Sequence, residues 1–301
     1  MKGLVGLVFV IAFTSVSSTA QNSNLPNATI NWNIGAMAFT VGRWTAGHEW
    51  VLEVHIADVQ HRTSKMLVAG AAPAWSPDAA RLAYCDHQPG KGSEVFVIAR
   101  DGSQRKQLTK RKGGSYACSP AWSPDGTKIA FSGRDVTGKG SAIFVMEQDG
   151  SNVHRITDGC EPRWSPGGKQ LAFYRAPKGP GTKSSIWVIN ADGSEPIRLT
   201  DENSVAWEPS WTGDGRVLFA SDREGKSAIY VVSLGERNLQ RLAYSPAYGM
   251  YAPLISPDGT QLVVDVDTGH DRSEITLLHL GANDQPQMIA VGTHPAVVWA
   301  R

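Results

Sequence analysis

The chain has 301 residues with 29 basic and 28 acidic side chains, a formal charge of +1. That balance excludes a nucleic-acid binder, which carries a strong basic excess to meet phosphates, and shows no attraction to an anionic membrane. The length suffices for one large domain and leaves no room for a second.

The chain opens on Lys2, an apolar run over 4–13 and a small polar stretch ending Ser18-Thr19-Ala20. This is the pattern of a secretory signal peptide, with cleavage expected after Ala20. Residues 1–20 are therefore expected to be a leader, and 21–301 a single exported domain, periplasmic or secreted. The apolar run is far shorter than the about 20 residues a spanning helix needs, so no membrane insertion is expected after cleavage. Loss of the leader removes one base and leaves acids and bases in equal number.

From there one unit returns six times. It reads apolar residue, Trp-Ser-Pro-Asp-Gly, short apolar run, polar loop, second apolar run, Asp-Gly and third run. Its anchors are Trp75, Trp122, Trp164, Trp211, Ile255 and Trp299, with a weaker one at Trp32. Their spacing of about 42–47 residues, filled with short strands and turns, is that of a β-propeller with one blade per repeat. In the first blade strands are expected over 36–41, 50–56 and 65–69. The unit around Trp122 shows the pattern best. Ala121-Trp122 ends an innermost strand, and Ser123-Pro124-Asp125-Gly126 makes a turn, with Pro presetting φ and Gly accepting a positive one. Strands follow over 128–132 and 142–146, joined by a polar loop. Asp149-Gly150 makes a hairpin turn into an outer strand over 153–157. The anchor tryptophans are expected to wedge between neighbouring blades.

The expected fold is thus all-β: a six-bladed β-propeller of four-stranded antiparallel blades. Residues 294–299 follow the last outer strand and have no strands after them. They are expected to join the first blade as its innermost strand, closing the ring and removing an exposed edge. Residues 29–32 either cover that blade or compete for the same place. The three cysteines are Cys85, Cys118 and Cys160. Cys118 and Cys160 hold equivalent places on neighbouring innermost strands; because those strands diverge, all three are read as small buried thiols, with a Cys118–Cys160 disulfide as the alternative.

The segments Pro-Ala-Trp-Ser-Pro-Asp-Gly-Thr-Lys-Ile-Ala-Phe (120–131), Ile-Phe-Val-Met-x-x-Asp-Gly-Ser (143–151) and His-Arg-Ile-Thr (154–157) resemble the WD-like repeat of TolB-type six-bladed propellers. The resemblance covers essentially the whole chain after the leader, and only the propeller part of TolB, whose N-terminal α/β domain has no counterpart. TolB is a periplasmic protein that binds partner proteins in the cell envelope. The resemblance therefore implies an exported module for a protein or peptide partner. Similar propellers precede the hydrolase domain of prolyl-oligopeptidase-type peptidases, but no Gly-x-Ser-x-Gly pentapeptide occurs here. Oligogalacturonate lyases, another similar group, supply the alternative: a carbohydrate-active enzyme taking an oligosaccharide at the channel mouth.

Comparing the repeats with one another shows where chemistry can sit. The residue before the anchor proline is Ala72, Ser119, Glu161, Glu208, Ala252 and His294 in turn, and Arg163 follows the proline in one repeat. Glu161, Arg163, Glu208 and His294 depart from the small residues elsewhere and are expected to cluster at the channel mouth. Two carboxylates and an imidazole can bind a divalent cation or serve as acid and base, and Arg163 can fork onto a ligand carboxylate. A solvated pairing of Arg163 with Glu161 or Glu208 is the plainer alternative. Trp207 and Tyr251, with Tyr116 and Tyr248, fall in the approach loops and suit a peptide contact or sugar stacking. No catalytic residue is assigned and no cofactor is expected beyond that cation. No His-x-x-x-His or Cys-x-x-Cys spacing occurs. Loop carboxylates such as Asp222 and Glu224, or Asp267 and Asp271, have the chemistry to bind Ca²⁺, and solvated turns are the plainer reading.

Overall fold

The Ser-Pro-Asp-Gly segments fold as their side chains dictate. After Trp122, Ser123 Oγ donates to Asp125 Oδ1 (2.6 Å), which also accepts the Thr127 N–H (3.0 Å), while Ser123 Oγ accepts the Lys128 N–H (2.9 Å). Gly126 closes the turn at φ 72°. The same side-chain bond recurs between Ser76 and Asp78, Thr212 and Asp214, and Ser256 and Asp258. Each such turn reverses the chain from an innermost strand into the second strand of the same blade.

The computed structural model describes residues 34–45, 47–88, 92–110, 116–134, 140–177, 182–201, 204–269, 273–281 and 286–299, together with Phe9–Val10. From the channel outward, the first blade is Thr293–Trp299, Ile34–Trp44, Trp50–Asp58 and Thr63–Ala69. The second is Ala71–Trp75, Arg81–Gln88, Gly92–Ala99 and Lys106–Gln107, and the third Ala117–Trp122, Lys128–Arg134, Ser141–Glu147 and His154–Asp158. The fourth is Cys160–Trp164, Gln170–Arg175, Ser185–Asn190 and Ile197–Arg198. The fifth is Ala206–Trp211, Val217–Ser221, Ala228–Val232 and Leu239–Tyr244, and the sixth Gly249–Ile255, Gln261–Asp267, Ser273–His279 and Gln287–Val291. Within every blade the pairing is antiparallel. Phe9–Val10 adds a two-residue parallel pairing with Ala243 and Tyr244. The rest of the leader segment and the stretch 29–32 lie outside the described residues.

The ring closes as the sequence leads one to expect. The last strand pairs antiparallel with Ile34–Trp44, in a register that sets Ile34 opposite Trp299, Met37 opposite Val297 and Ala38 opposite Ala296. The core lies between blades rather than in one centre. Trp122 packs with Ala83, Val95 and Val97 of the second blade, and Trp211 against Ala172 and Ile186 of the fourth. Trp164 Nε1 donates to the Ala121 carbonyl (3.1 Å), and Trp211 Nε1 to that of Arg163 (2.9 Å). These two anchors thus add a bond across the seam to their apolar burial, whereas the buried Nε1 groups of Trp75 and Trp122 have no hydrogen-bond partner among the described residues. Among the described residues no helix is long and apolar enough to cross a membrane.

The cysteine expectation is corrected. Cys85, on the second strand of the second blade, is disulfide-bonded to Cys118, on the innermost strand of the third, with Cα atoms 5.0 Å apart. Cys160 alone is a free thiol. Innermost strands do diverge from one another, but an innermost strand packs closely against the second strand of the blade before it, and the bridge crosses there.

Candidate functional site

Antiparallel blades place their loops by parity. The starts of the innermost strands and the second-to-third-strand loops share one face of the disc, the loop face. The Ser-Pro-Asp-Gly turns share the other. Between them, each innermost strand bulges at the residue before its proline. Ala72, Ser119, Glu161, Glu208, Ala252 and His294 all adopt positive φ, between 45° and 53°. The register slips there, as between Cys160 and Arg163 and between Trp207 and Ser210. A non-glycine residue in this region costs roughly 1–2 kcal/mol, and a following proline disfavours compact conformations further. Repeated six times at one level, the strain marks the neck of the channel, lined by these residues and their prolines around a cavity of about 30 Å³. That holds about two water molecules.

The bulge frees a backbone N–H on each left-handed residue, and at Ala72, Glu161, Ala252 and His294 the preceding blade supplies the acceptor. Thr40 Oγ1 accepts from Ala72 (3.1 Å) and Ser132 Oγ from Glu161 (2.7 Å). Asp265 accepts from His294 in the same way. The equivalent residue of the fifth blade is Ala220, which has no acceptor. There the Ala252 N–H donates instead to Glu208 Oε2 (2.8 Å). Glu208 thus caps its neighbour. Glu161, whose own N–H is already satisfied, keeps a buried Oε2 with no hydrogen-bond partner among the described residues.

The neck does hold Glu161, Arg163, Glu208 and His294 together, as the repeat comparison implies. Glu161 and Glu208 are half-buried and His294 is exposed by area. The surface they keep faces the channel, where prolines and neighbouring blades surround it, so their charged forms are poorly solvated. Burial raises the Glu161 carboxyl, with Arg163 opposing. Burial, and then the charge of Glu161, pushes Glu208 up to about 8. Asp265 rises to about 6 through burial, against hydrogen bonds from Ser273 and His294. Burial lowers His294, helped by Arg163. The expected ion pair is not formed as a contact: the Arg163 guanidinium donates to the Pro162 carbonyl (3.0 Å) and, among the hydrogen bonds of the described residues, to neither glutamate. Among the described residues no three His, Cys, Asp or Glu side chains come together closely enough to hold a metal ion.

Trp207 and Tyr251 immediately precede Glu208 and Ala252 on the loop-face side. They stack on each other, centroids 6.0 Å apart and planes 24° off parallel. With Tyr248 they line a cleft of about 470 Å³ between the fifth and sixth blades. Asp222 and Asp267 line it too, so these are cleft walls rather than plain solvated turns. Two further residues escaped the sequence reading. Trp44 and Trp50, opposite each other at the tip of a hairpin of the first blade, meet edge-on at 5.3 Å and stay exposed on the same face. Their only signal is two tryptophans flanking a short polar loop.

A closed ring of six four-stranded blades with a strained polar neck and an aromatic mouth defines a six-bladed β-propeller. More narrowly, the chain belongs to the TolB beta propeller domain family, which matches residues 50–161 and again 159–294. The uncharacterized peptidase YuxL of Bacillus subtilis (strain 168) is 43% identical over 65 residues, 21% of this chain and 10% of that protein. The chain thus spans a tenth of that relative. Among solved structures, TolB from Acinetobacter baumannii aligns with a TM-score of 0.71 at 20% identity, over 90% of this chain and 68% of that one. An oligogalacturonate lyase in complex with manganese aligns at 0.56 and 15% identity, over 80% and 73%. At such identities these structures speak for the fold alone.

Proposed function

We propose that this chain is a non-catalytic, exported propeller that binds a peptide or protein partner in the cell envelope through its loop face. The observation that carries the reading is the aromatic surface there. Trp207, Tyr248 and Tyr251 line an open cleft, and Trp44, Trp50 and Tyr116 stay exposed although the anchor residues of the same fold are buried or wedged between blades. Exposed aromatics at this density are the residues that dominate protein interfaces. The TolB family and the leader-like start of the chain support the envelope setting.

A lyase-like second reading draws on one observation: Glu208, protonated at neutral pH, lines the same neck as a His294 held neutral. The neck opposes it. A space of about 30 Å³ is far below the ~300 Å³ at which small-molecule pockets begin, and Glu208 already caps Ala252.

The test screens the purified protein against a random heptapeptide display library and, in parallel, titrates it with oligogalacturonate with and without Mn²⁺. Peptides should be enriched, and Trp207→Ala should weaken them by about 30-fold, the loss of one central aromatic. Absence of any Trp207-dependent peptide, or binding or cleavage of the oligogalacturonate, overturns the reading.

A further inference from the structure

The cleft between the fifth and sixth blades carries more chemistry than its aromatics. Its lining includes Asp222 and Asp267, one from each second-to-third-strand loop, and Lys226. Each aspartate is held through one oxygen by nearby backbone: Asp222 Oδ1 accepts the N–H of Val205, just before the fifth blade's innermost strand (2.9 Å), and Asp267 Oδ1 that of Gly269 in its own loop (2.9 Å). The base in the wall is turned to the cleft's own backbone, since Lys226 Nζ donates to the Ala247 carbonyl. Outside the cleft's lining, Asp265 stands opposite Tyr251 in the sheet register, is 6% exposed and accepts the His294 N–H of the first blade. After burial, the charges of Asp267, Asp265 and Asp222, and that of Glu208 once it ionises, raise the pKa of the Tyr251 hydroxyl. That hydroxyl therefore sits in a region of negative potential.

Space and shape agree with an occupant. Beside the cleft, Gly225 and Gly269 have nothing within 4 Å of where a side chain would begin. At Gly249 a Cβ would lie 2.7 Å from the Tyr251 hydroxyl, so glycine lets that ring lie back against its own strand. Aromatic faces joined to carboxylates favour a cation: the rings attract it through their quadrupoles and the carboxylates accept its N–H groups. An acidic sugar would meet two carboxylates instead.

We propose that this cleft is a subsite for one basic side chain, lysine or arginine, of a bound peptide, with its aliphatic stem on the Trp207–Tyr251 stack and its charged end toward Asp222 and Asp267. This rests on the peptide-binding reading above and names the chemistry it selects.

The heptapeptides enriched on the protein supply the probes. A lysine or arginine should recur at one position, and its replacement by glutamine in the tightest peptide should weaken binding at least about tenfold by calorimetry. The Asp222→Asn, Asp267→Asn double variant should lose a similar factor for the basic peptide and little more for the glutamine peptide, because the two changes remove one interaction. The asparagines keep the oxygens that accept Val205 and Gly269, so the loops are retained. Enriched peptides without a recurring base, or full affinity in the double variant, overturn the subsite and leave peptide binding standing. No Trp207-dependent peptide at all overturns both.

Discussion

Glu161 and Glu208 occupy the same place on neighbouring blades and have different partners. Glu208 replaces an acceptor that Ala220 cannot supply, whereas the Glu161 carboxyl keeps an unpartnered Oε2 and Ser132 serves only the Glu161 N–H. Glu208→Ala should therefore destabilise the fold by about 1–3 kcal/mol, the cost of a buried N–H left unpaired, measured by urea unfolding. Glu208→Gln keeps the accepting oxygen and should be close to neutral near pH 4, where the wild-type carboxyl is protonated in both states. The two should diverge with pH. The Glu208 pKa is about 8 in the fold against an ordinary 4.5, so the native state holds a proton that the unfolded state releases earlier. Its contribution is complete below about pH 4.5 and is lost as pH rises through about 8. Wild type should lose melting temperature between about pH 5 and pH 9 relative to Glu208→Gln, and parallel curves would contradict the assignment. The sequence shows where this chemistry sits, because Glu161, Glu208 and His294 interrupt a row of small residues. It does not show which glutamate is a cap, since that depends on Ala220, about ten residues downstream on another strand. Asp265 was missed as well, although an aspartate inside Leu262-Val263-Val264-Asp265-Val266 is a signal of a buried acceptor.

At the scale of the element, the blade was legible in nearly every strand. Turn chemistry and the anchor fix its reversals locally, and alternating apolar residues fix its faces. What stayed hidden was contact across a seam. Cys85 and Cys118 are 33 residues apart and lie on different blades, so nothing local pairs them. A loop of that length implies about 3–4 kcal/mol from restriction of the unfolded chain. Cys85→Ser with Cys118→Ser, or reduction, should lower stability by roughly 2–4 kcal/mol in urea titrations. Thiol titration of the denatured protein should detect Cys160 alone before reduction and all three cysteines after it; Cys118 and Cys160 reacting together before reduction would contradict the bridge.

At the scale of the whole molecule, the seam between Thr293–Trp299 and Ile34–Trp44 joins residues from opposite ends of the fold. Closure was inferred from a strand count alone, because a final innermost strand with no partners of its own has one vacancy to fill. Deleting 293–301 should expose the edge of Ile34–Trp44 and remove more than ~5 kcal/mol, much of a typical domain's stability. Loss of a cooperative melt and association on size-exclusion chromatography are the expected readouts, and an unchanged monomer would exclude the closing role.

The six left-handed residues at the neck also bear on how such a protein changes over generations. Their backbone is set by the proline behind them, the strands on either side and, at Ala72, Glu161, Ala252 and His294, an acceptor from the blade before. Apart from that of Glu208, which caps Ala252, the side chain is free to vary, as alanine, serine, glutamate and histidine on closely similar geometry already show. Ala72, Ser119 and Ala252 are in this sense blank letters in a six-letter word. Rewriting one of them alters what the channel offers without moving a strand, so a lineage of these propellers can drift from one ligand to another while its architecture stands still.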